Sequence, residues 1–510
     1  MLNKITQQIR TQSRTVATVG ALSLLLSACG SSNTPSSTTS TPQPQPTTQP
    51  APVVLPTTGV WYAPAYGLVM DVAQNNHTWY QVSGDYCQKF NMNIMTQYNH
   101  ADLLASMVVS DDQQSVVSTI AGQKIPGVTM DKQAALPEAC ADNLIARSGE
   151  AGYAFDPQRD FEIFWQTFEL HYAFFDLENV DWAAAYQLAN AQINQDTTQQ
   201  QLFGILSEMI TPLKDFHVVL INPQLEMGFG VSRKADVEQM ALTEFVTING
   251  LELPLNEAQS DIADEYFELQ MDAQLNAILS HIGDNEAVNF NASNTIGWFK
   301  TADDLGYVYM PTMDLVEIGD EATRADNMAA LHATLNQIMT DFDGLHGLIL
   351  DVRTNGGGDD FVSQAIVSYL IDQDLAAYSK QTRLGDERTE VQPVVISPNE
   401  GTVFTGPIAV LTSATTSSAG EIFSIAMRAR PNTVLVGETT GGGLSDMLPK
   451  TLPHGLFFTL SNEIYISHDG QEFEGSGVPV DIQSAFFTLE QRETGLDLGL
   501  DKAIEWVLSH

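Results

Sequence analysis

Residues 407–426 read PIAVLTSATTSSAGEIFSIA, an apolar run that breaks into a cluster of Ser and Thr before a second apolar segment opens at Ser418. The first part is rich in β-branched and aliphatic residues and predicts a strand. The second repeats apolar residues at spacings of three and four and predicts a helix. Ser418 stands at the junction. Its S-x-x-E relation to Glu421 fits a capping box, in which the serine hydroxyl binds the helix backbone and the glutamate returns the bond. A nucleophilic serine gains from the same position, because the exposed N–H groups and dipole of a helix start stabilise a developing oxyanion. Only the rest of the chain separates a cap from a nucleophile.

Working outward, the same strand-then-helix rhythm runs from Gly306 onward. GYVYMP reads as a strand, ATRADNMAALHATLNQIMTDF as a long helix, HGLILDV as a strand, DFVSQAIVSYLI as a helix, and NTVLVGE as a strand after the Ser418 helix. Such alternation predicts an α/β layer with a mostly parallel sheet, whose functional groups collect beyond the carboxyl ends of the strands. One of those ends carries DVRTNGGGDD, with glycines at 356, 357 and 358. Consecutive glycines allow backbone N–H groups to approach and point at a negative oxygen, as an oxyanion hole requires, although a plain tight turn uses the same residues.

A serine hydroxyl needs a base, most often a histidine that a carboxylate orients. Of ten histidines, His217 in PLKDFHVVL is placed best, where a helix gives way to a strand-like run. His171 lies in an aromatic helix and reads as a packing residue, and His454 and His468 are weaker candidates near the C-terminal strands. Glu474, in the Gly-rich FEGSGVPVD, is the candidate orienting acid, with Glu472 in reserve.

DVRTNGGG, TSSAGEIF, VGETTGGG and EGSGVPVD, in that order, resemble the C-terminal processing and tricorn-type serine peptidases of family S41. The resemblance covers about residues 160–490. It implies an α/β, ClpP and crotonase-like catalytic domain over 301–490, preceded by a mainly helical region over 151–300 and followed by a helix over 491–510. In the processing-peptidase branch a lysine base follows the nucleophile in T-x-G-K-G; here TGGGL puts Gly443 in the lysine's place, and Lys450 lies outside the pattern. The tricorn-like branch uses Ser, His and Glu. Carried over residue by residue, Ser418 attacks a carbonyl, His217 moves the proton, Glu474 holds the imidazole, and the N–H groups of Gly357 and Ala419 bind the oxyanion. Asp351, Arg353 and Asn355 are expected to shape the glycine loop. The implied partner is a peptide or protein substrate, with no cofactor and no metal. A rival from another class is a catalytically idle module of the same fold that binds an apolar ligand or peptide, as in the retinoid-binding modules of vertebrate eyes.

The formal charge of -41, from 63 acidic and 22 basic residues, repels phosphate backbones and argues against a nucleic-acid partner. Residues 1–28 combine Lys4, Arg10 and Arg14 with the apolar VGALSLLLSA, the layout of an export signal. LSAC resembles a lipobox, which implies cleavage before Cys29, lipid on its thiol, and a protein anchored by that lipid, at the outer membrane facing the periplasm or on the cell surface. The Ser, Thr, Pro and Gln tract that follows, within 29–58, lacks the apolar content to fold and is expected to act as a tether. Short Val- and aromatic-rich runs predict a small β domain over 59–150, in which Cys87 and Cys140 are expected to form a disulfide in an oxidising compartment.

Overall fold

The computed structural model describes residues 57–90, 100–119, 127–231, 237–314 and 322–510. The expected export signal, Cys29 and nearly all of the tether lie outside the described residues.

A seven-stranded sheet organises the C-terminal half, in the order Asn289–Phe290, Gly297–Lys300, Gly306–Tyr309, Leu348–Asp351, Ile408–Thr412, Thr433–Gly437 and Ile482–Gln483. The first three strands are antiparallel and the last five run parallel. Buried on both faces, the middle strands carry apolar residues at nearly every position, as parallel strands under helices must. Helices Arg324–Asp341, Asp360–Ser368 and Ala419–Ala429 pack one face, through residues such as Leu335, Ile366 and Phe423. Helix Leu498–Leu508 covers the other with Leu500 and Val507, beside Ile278 of the long helix Glu257–Leu279. The strands and helices expected between Gly306 and Gly437 are all present.

The N-terminal β region is an eight-stranded sheet, antiparallel except where Tyr86–Lys89 pairs with Leu144–Ile145. The Cys87–Cys140 disulfide ties its strand Tyr86–Lys89 to the short helix Glu138–Ala141. The boundary expected at residue 150 does not divide the core. Trp61, Met70 and Phe90 of the sheet share one cluster with Phe161, Phe164 and Phe168 of helix Pro157–His171 and with Phe458.

One small sheet matters most for the site. Val219–Asn222 pairs with Met227–Gly230 on one side and with Phe457–Ser461 on the other, and Met447–Thr451 completes it. The register Leu220 with Phe458 and Ile221 with Phe457 draws the segment after His217 onto the hairpin that follows residues 438–446.

Candidate active site

Ser418 leaves the strand Ile408–Thr412 through a turn and immediately precedes helix Ala419–Ala429. Its backbone lies at φ 53° and ψ -127°, a conformation that costs a non-glycine residue about 1–3 kcal/mol and is retained where the surroundings enforce it. Those surroundings are explicit: the Ser418 N–H donates to the Gly443 carbonyl at 2.9 Å and reaches Glu421 Oε2 at 3.3 Å. The glutamate's half of the capping box is thus present. The Glu421 N–H is engaged by the Ser418 carbonyl at 2.8 Å. The strained turn and half-buried side chain fit presentation of a hydroxyl better than simple helix capping.

The glycine loop packs against this turn. A carbon added at Gly357, which has φ +110°, would lie 2.5 Å from Ser418 Cβ and 3.1 Å from Ser418 Oγ, so no larger residue fits there. Asn355 shapes the loop from inside: Nδ2 donates to the Met310 carbonyl at 2.8 Å, Oδ1 accepts from the Gly357 N–H at 2.9 Å, and its carbonyl accepts from the Ser417 N–H at 3.0 Å. This corrects one expectation. The Gly357 N–H, assigned to an oxyanion on sequence grounds, is taken by Asn355. Among the described residues, the N–H groups of Gly358, which follows Gly357, and of Ala419, which follows Ser418, have no hydrogen-bond acceptor. Arg353, buried as expected in a structural role, pairs with Asp351 at 2.6 Å and Asp497 at 2.8 Å.

His217 is 4% exposed, at the end of a turn that Asp215 closes by accepting the His217 N–H at 2.9 Å. Its carbonyl accepts from Thr459 Oγ1 at 2.6 Å, which fixes the turn to the C-terminal hairpin. Phe216 lies on Gly443: a carbon added at that glycine would sit 2.2 Å from Cε1 of the ring. The place where the other catalytic branch carries lysine is therefore filled by the neighbour of His217. The remaining histidines are elsewhere engaged or placed. His454 pairs with the buried Asp160 at 2.7 Å, His171 is buried in the shared core with its pKa pushed down by burial, and His468 is exposed. Lys450 is also occupied, donating to the Tyr66 carbonyl at 2.6 Å and the Gly67 carbonyl at 3.2 Å, and burial lowers its pKa to about 7.

Glu474 Oε2 accepts from the Leu444 and Ser445 N–H groups, each at 2.9 Å. Burial, followed by the charges of Asp215 and Glu421, pushes its pKa well up, while the two N–H groups favour the ionised form. Glu472, the reserve candidate, is half exposed and pairs with Arg388 at 2.8 Å. Residues 442–445 emerge as the hub. Gly443 receives Ser418 and Phe216, Leu444 and Ser445 hold Glu474, and Glu421 accepts from the Gly442 and Gly443 N–H groups at 2.8 Å each. The repeated glycines of VGETTGGG were the sequence signal for this close approach. The role of Glu421 behind the loop was hidden by its fit to an ordinary cap.

A strained turn carrying a half-buried serine, a buried histidine turn and a held carboxylate define a candidate site for acyl transfer. Residues 304–484 match the model of peptidase family S41, and residues 154–211 match that of the tricorn protease C1 domain. The chain therefore carries an S41 peptidase domain behind a tricorn-type C1 segment. The tricorn protease of Thermoplasma volcanium is 28% identical over 215 residues, 41% of this chain and 18% of that protein. That of Thermoplasma acidophilum is 26% identical over 206 residues, covering 39% and 17%. The chain thus spans about a sixth of the length of the curated relatives it matches. The crystal structure of a proposed peptidase from Parabacteroides merdae aligns over 70% of this chain and 98% of that one, at 24% identity and a TM-score of 0.51, which shows a common fold.

Proposed function

We propose that the protein is a serine peptidase of the tricorn-like type, with Ser418 as nucleophile, His217 as general base and acid, and Glu474 as the orienting carboxylate. The convergence of all three segments on residues 442–445 carries this reading. His217 takes the Ser418 proton as Oγ bonds to the scissile carbonyl carbon, and the carbonyl electron pair moves to its oxygen. Ala419 and Gly358 supply the uncommitted N–H groups that hold this oxyanion. Collapse breaks the C–N bond, and His217 returns the proton to the leaving amine. Water then repeats the cycle on the acyl-enzyme and frees the acid.

A serine-directed fluorophosphonate followed by peptide mapping tests the assignment. Label on Ser418 that disappears in His217→Ala is the expected result; a folded protein that never labels and cleaves no member of a peptide library refutes the peptidase and favours the idle binding module.

We further propose export and anchoring through a lipidated Cys29, which rests on the basic start, apolar run and LSAC of the first 29 residues. Mass spectrometry of native protein is expected to find an acylated Cys29 at the amino terminus. An intact Met1 in membrane-free extract refutes it.

A further inference from the structure

The connector that follows helix Pro157–His171 reaches both the His217 turn and the Glu474 loop, and the chemical steps above do not use it. Tyr172, its first residue, is wholly buried. Its N–H donates to the Phe168 carbonyl at 2.8 Å, and its ring packs on Phe168 and Phe175, with centres 5.8 and 4.8 Å apart. The next N–H, of Ala173, donates at 2.9 Å to the carbonyl of Ser461, in the strand that also pairs with Val219–Asn222. Five residues beyond Tyr172, Leu177 lies on Gly475, where an added carbon would meet Cδ2 at 2.9 Å. The connector is thus fixed to the sheet behind His217 at one end and to the neighbour of Glu474 at the other.

The Tyr172 hydroxyl faces Asp215, whose Oδ1 is spent on the His217 N–H at 2.9 Å. Tyr172 Oη and Asp215 Oδ2 are both buried, and among the described residues neither has a partner in hydrogen-bond geometry. Two such atoms side by side are uncommon in a folded protein. Burial, then the charges of Asp215, Glu178 and Glu474, push the Tyr172 pKa well up, so the phenol keeps its proton and remains a donor. Asp215 is in turn the leading charge on Glu474, ahead of Glu421. These carboxylates repel one another, and each favours protonation of the others, whereas a hydroxyl donor among them favours their charged forms.

We infer that Tyr172 is a positioning residue of the active site, whose hydroxyl donates to the Asp215 carboxylate and thereby keeps Glu474 ionised to hold the His217 imidazole. The role rests on the peptidase reading. A Glu474 that takes up a proton no longer stabilises an imidazolium, and Asp215, by its charge, pushes Glu474 that way. Tyr172 works against it from the buried side of the cluster.

The test measures the rate of fluorophosphonate labelling of Ser418 in the full chain across about pH 5 to 9, where its rise reports the coupled protonation of His217 and Glu474. Tyr172→Phe keeps the packed ring and removes the donor. The midpoint of the rise is expected to move up by about one pH unit, a roughly tenfold slower labelling below it, with the high-pH plateau little changed. Asp215→Asn keeps an acceptor for the His217 N–H and removes the charge, so the midpoint is expected to move down by about as much. Tyr172→Phe added to Asp215→Asn is expected to shift it by about half as much as in the wild type, or less. A midpoint does not depend on how much of the protein is folded, so loss of packing alone would lower the plateau and leave the midpoint in place. That result in Tyr172→Phe, or an upward shift in Asp215→Asn, overturns the inference and leaves the peptidase reading standing. A folded wild type that never labels overturns the peptidase reading, and this role with it.

Discussion

The two loops that flank Ser418 leave neighbouring parallel strands, yet they are held by opposite electrostatics. The glycine loop after Leu348–Asp351 is braced by a charge cluster: Arg353 spans Asp351 and Asp497, and its guanidinium also lies 4.7 Å from the Phe486 ring centre. Burial works to raise the Asp497 pKa, but Arg353 outweighs it and holds it low. The Ser418 turn is braced by Glu421, fully buried, whose hydrogen bonds come from Thr440 and from backbone N–H groups. Backbone dipoles compensate a buried charge less completely than a bidentate guanidinium does. One loop should therefore keep its shape across a wide pH range, and the other should feel protonation near neutrality.

The largest effect expected concerns the chemistry that both loops are proposed to serve. Ser418→Ala and His217→Ala should each lower peptide turnover by on the order of 10⁴-fold or more, and the double variant should be little worse than either, since the residues act as one unit. Glu474→Gln should be milder. Multiplicative losses in the double variant would break the triad.

Next in size is the brace of the glycine loop. Arg353→Met removes the cation from two buried carboxylates and should cost about 3–5 kcal/mol in urea unfolding. A loss below about 1 kcal/mol, the range of an exposed ion pair, would erase the contrast between the loops.

A smaller effect tests the seating of Phe216 on the hub. Gly443→Ala places a carbon 2.2 Å from Phe216 Cε1 and 2.5 Å from Cζ, so the ring must move; about 1–3 kcal/mol is expected. In the double variant with Phe216→Ala the two costs should fall short of additive by about 0.5–3 kcal/mol. Strict additivity would mean that the ring does not lie where Gly443 needs it absent.

How far the sequence reveals these features follows from what each segment buries. Ile408–Thr412 and Leu348–Asp351 are buried at every position, so their continuous apolar runs announce parallel strands and place the loops after them. Leu375–Leu384 escapes such a reading. Lys380 and Thr382 point inward, 4% and 5% exposed, and Lys380 is matched by Glu463 at 2.7 Å, a pairing invisible in a local pattern. His217 and Glu474 are readable from their motifs. The contact that fixes the His217 turn to the C-terminal hairpin is not, because Thr459 reaches the His217 carbonyl across 242 residues of chain. The Gly357 assignment fails for a local reason: the Asn355 side chain folds back onto the N–H two residues later, and a glycine triplet does not disclose which of its donors is spent.

The finest test of the comparison is the proton on Glu421. Burial raises its pKa from 4.5 to about 7 against the pull of Thr440 and the Gly442, Gly443 and Ser418 N–H groups. The folded chain therefore holds this proton over a range where the unfolded chain has released it. Between pH 4.5 and about 7 the native state binds more protons, so this residue's contribution to stability falls as pH rises, with a slope of at most about 1.4 kcal/mol per pH unit. Glu421→Gln keeps an acceptor oxygen for the loop and cannot ionise. The stability of the variant relative to wild type should thus increase steadily across that window and stay level on either side, in urea unfolding measured at a series of pH values. The corresponding Asp497→Asn change should show no such rise, because Arg353 keeps Asp497 ionised below its ordinary range. A relative stability for Glu421→Gln that does not vary between pH 4.5 and 7 would show that the N–H groups hold the Glu421 charge as firmly as Arg353 holds its partners, and the two loops would then be braced alike.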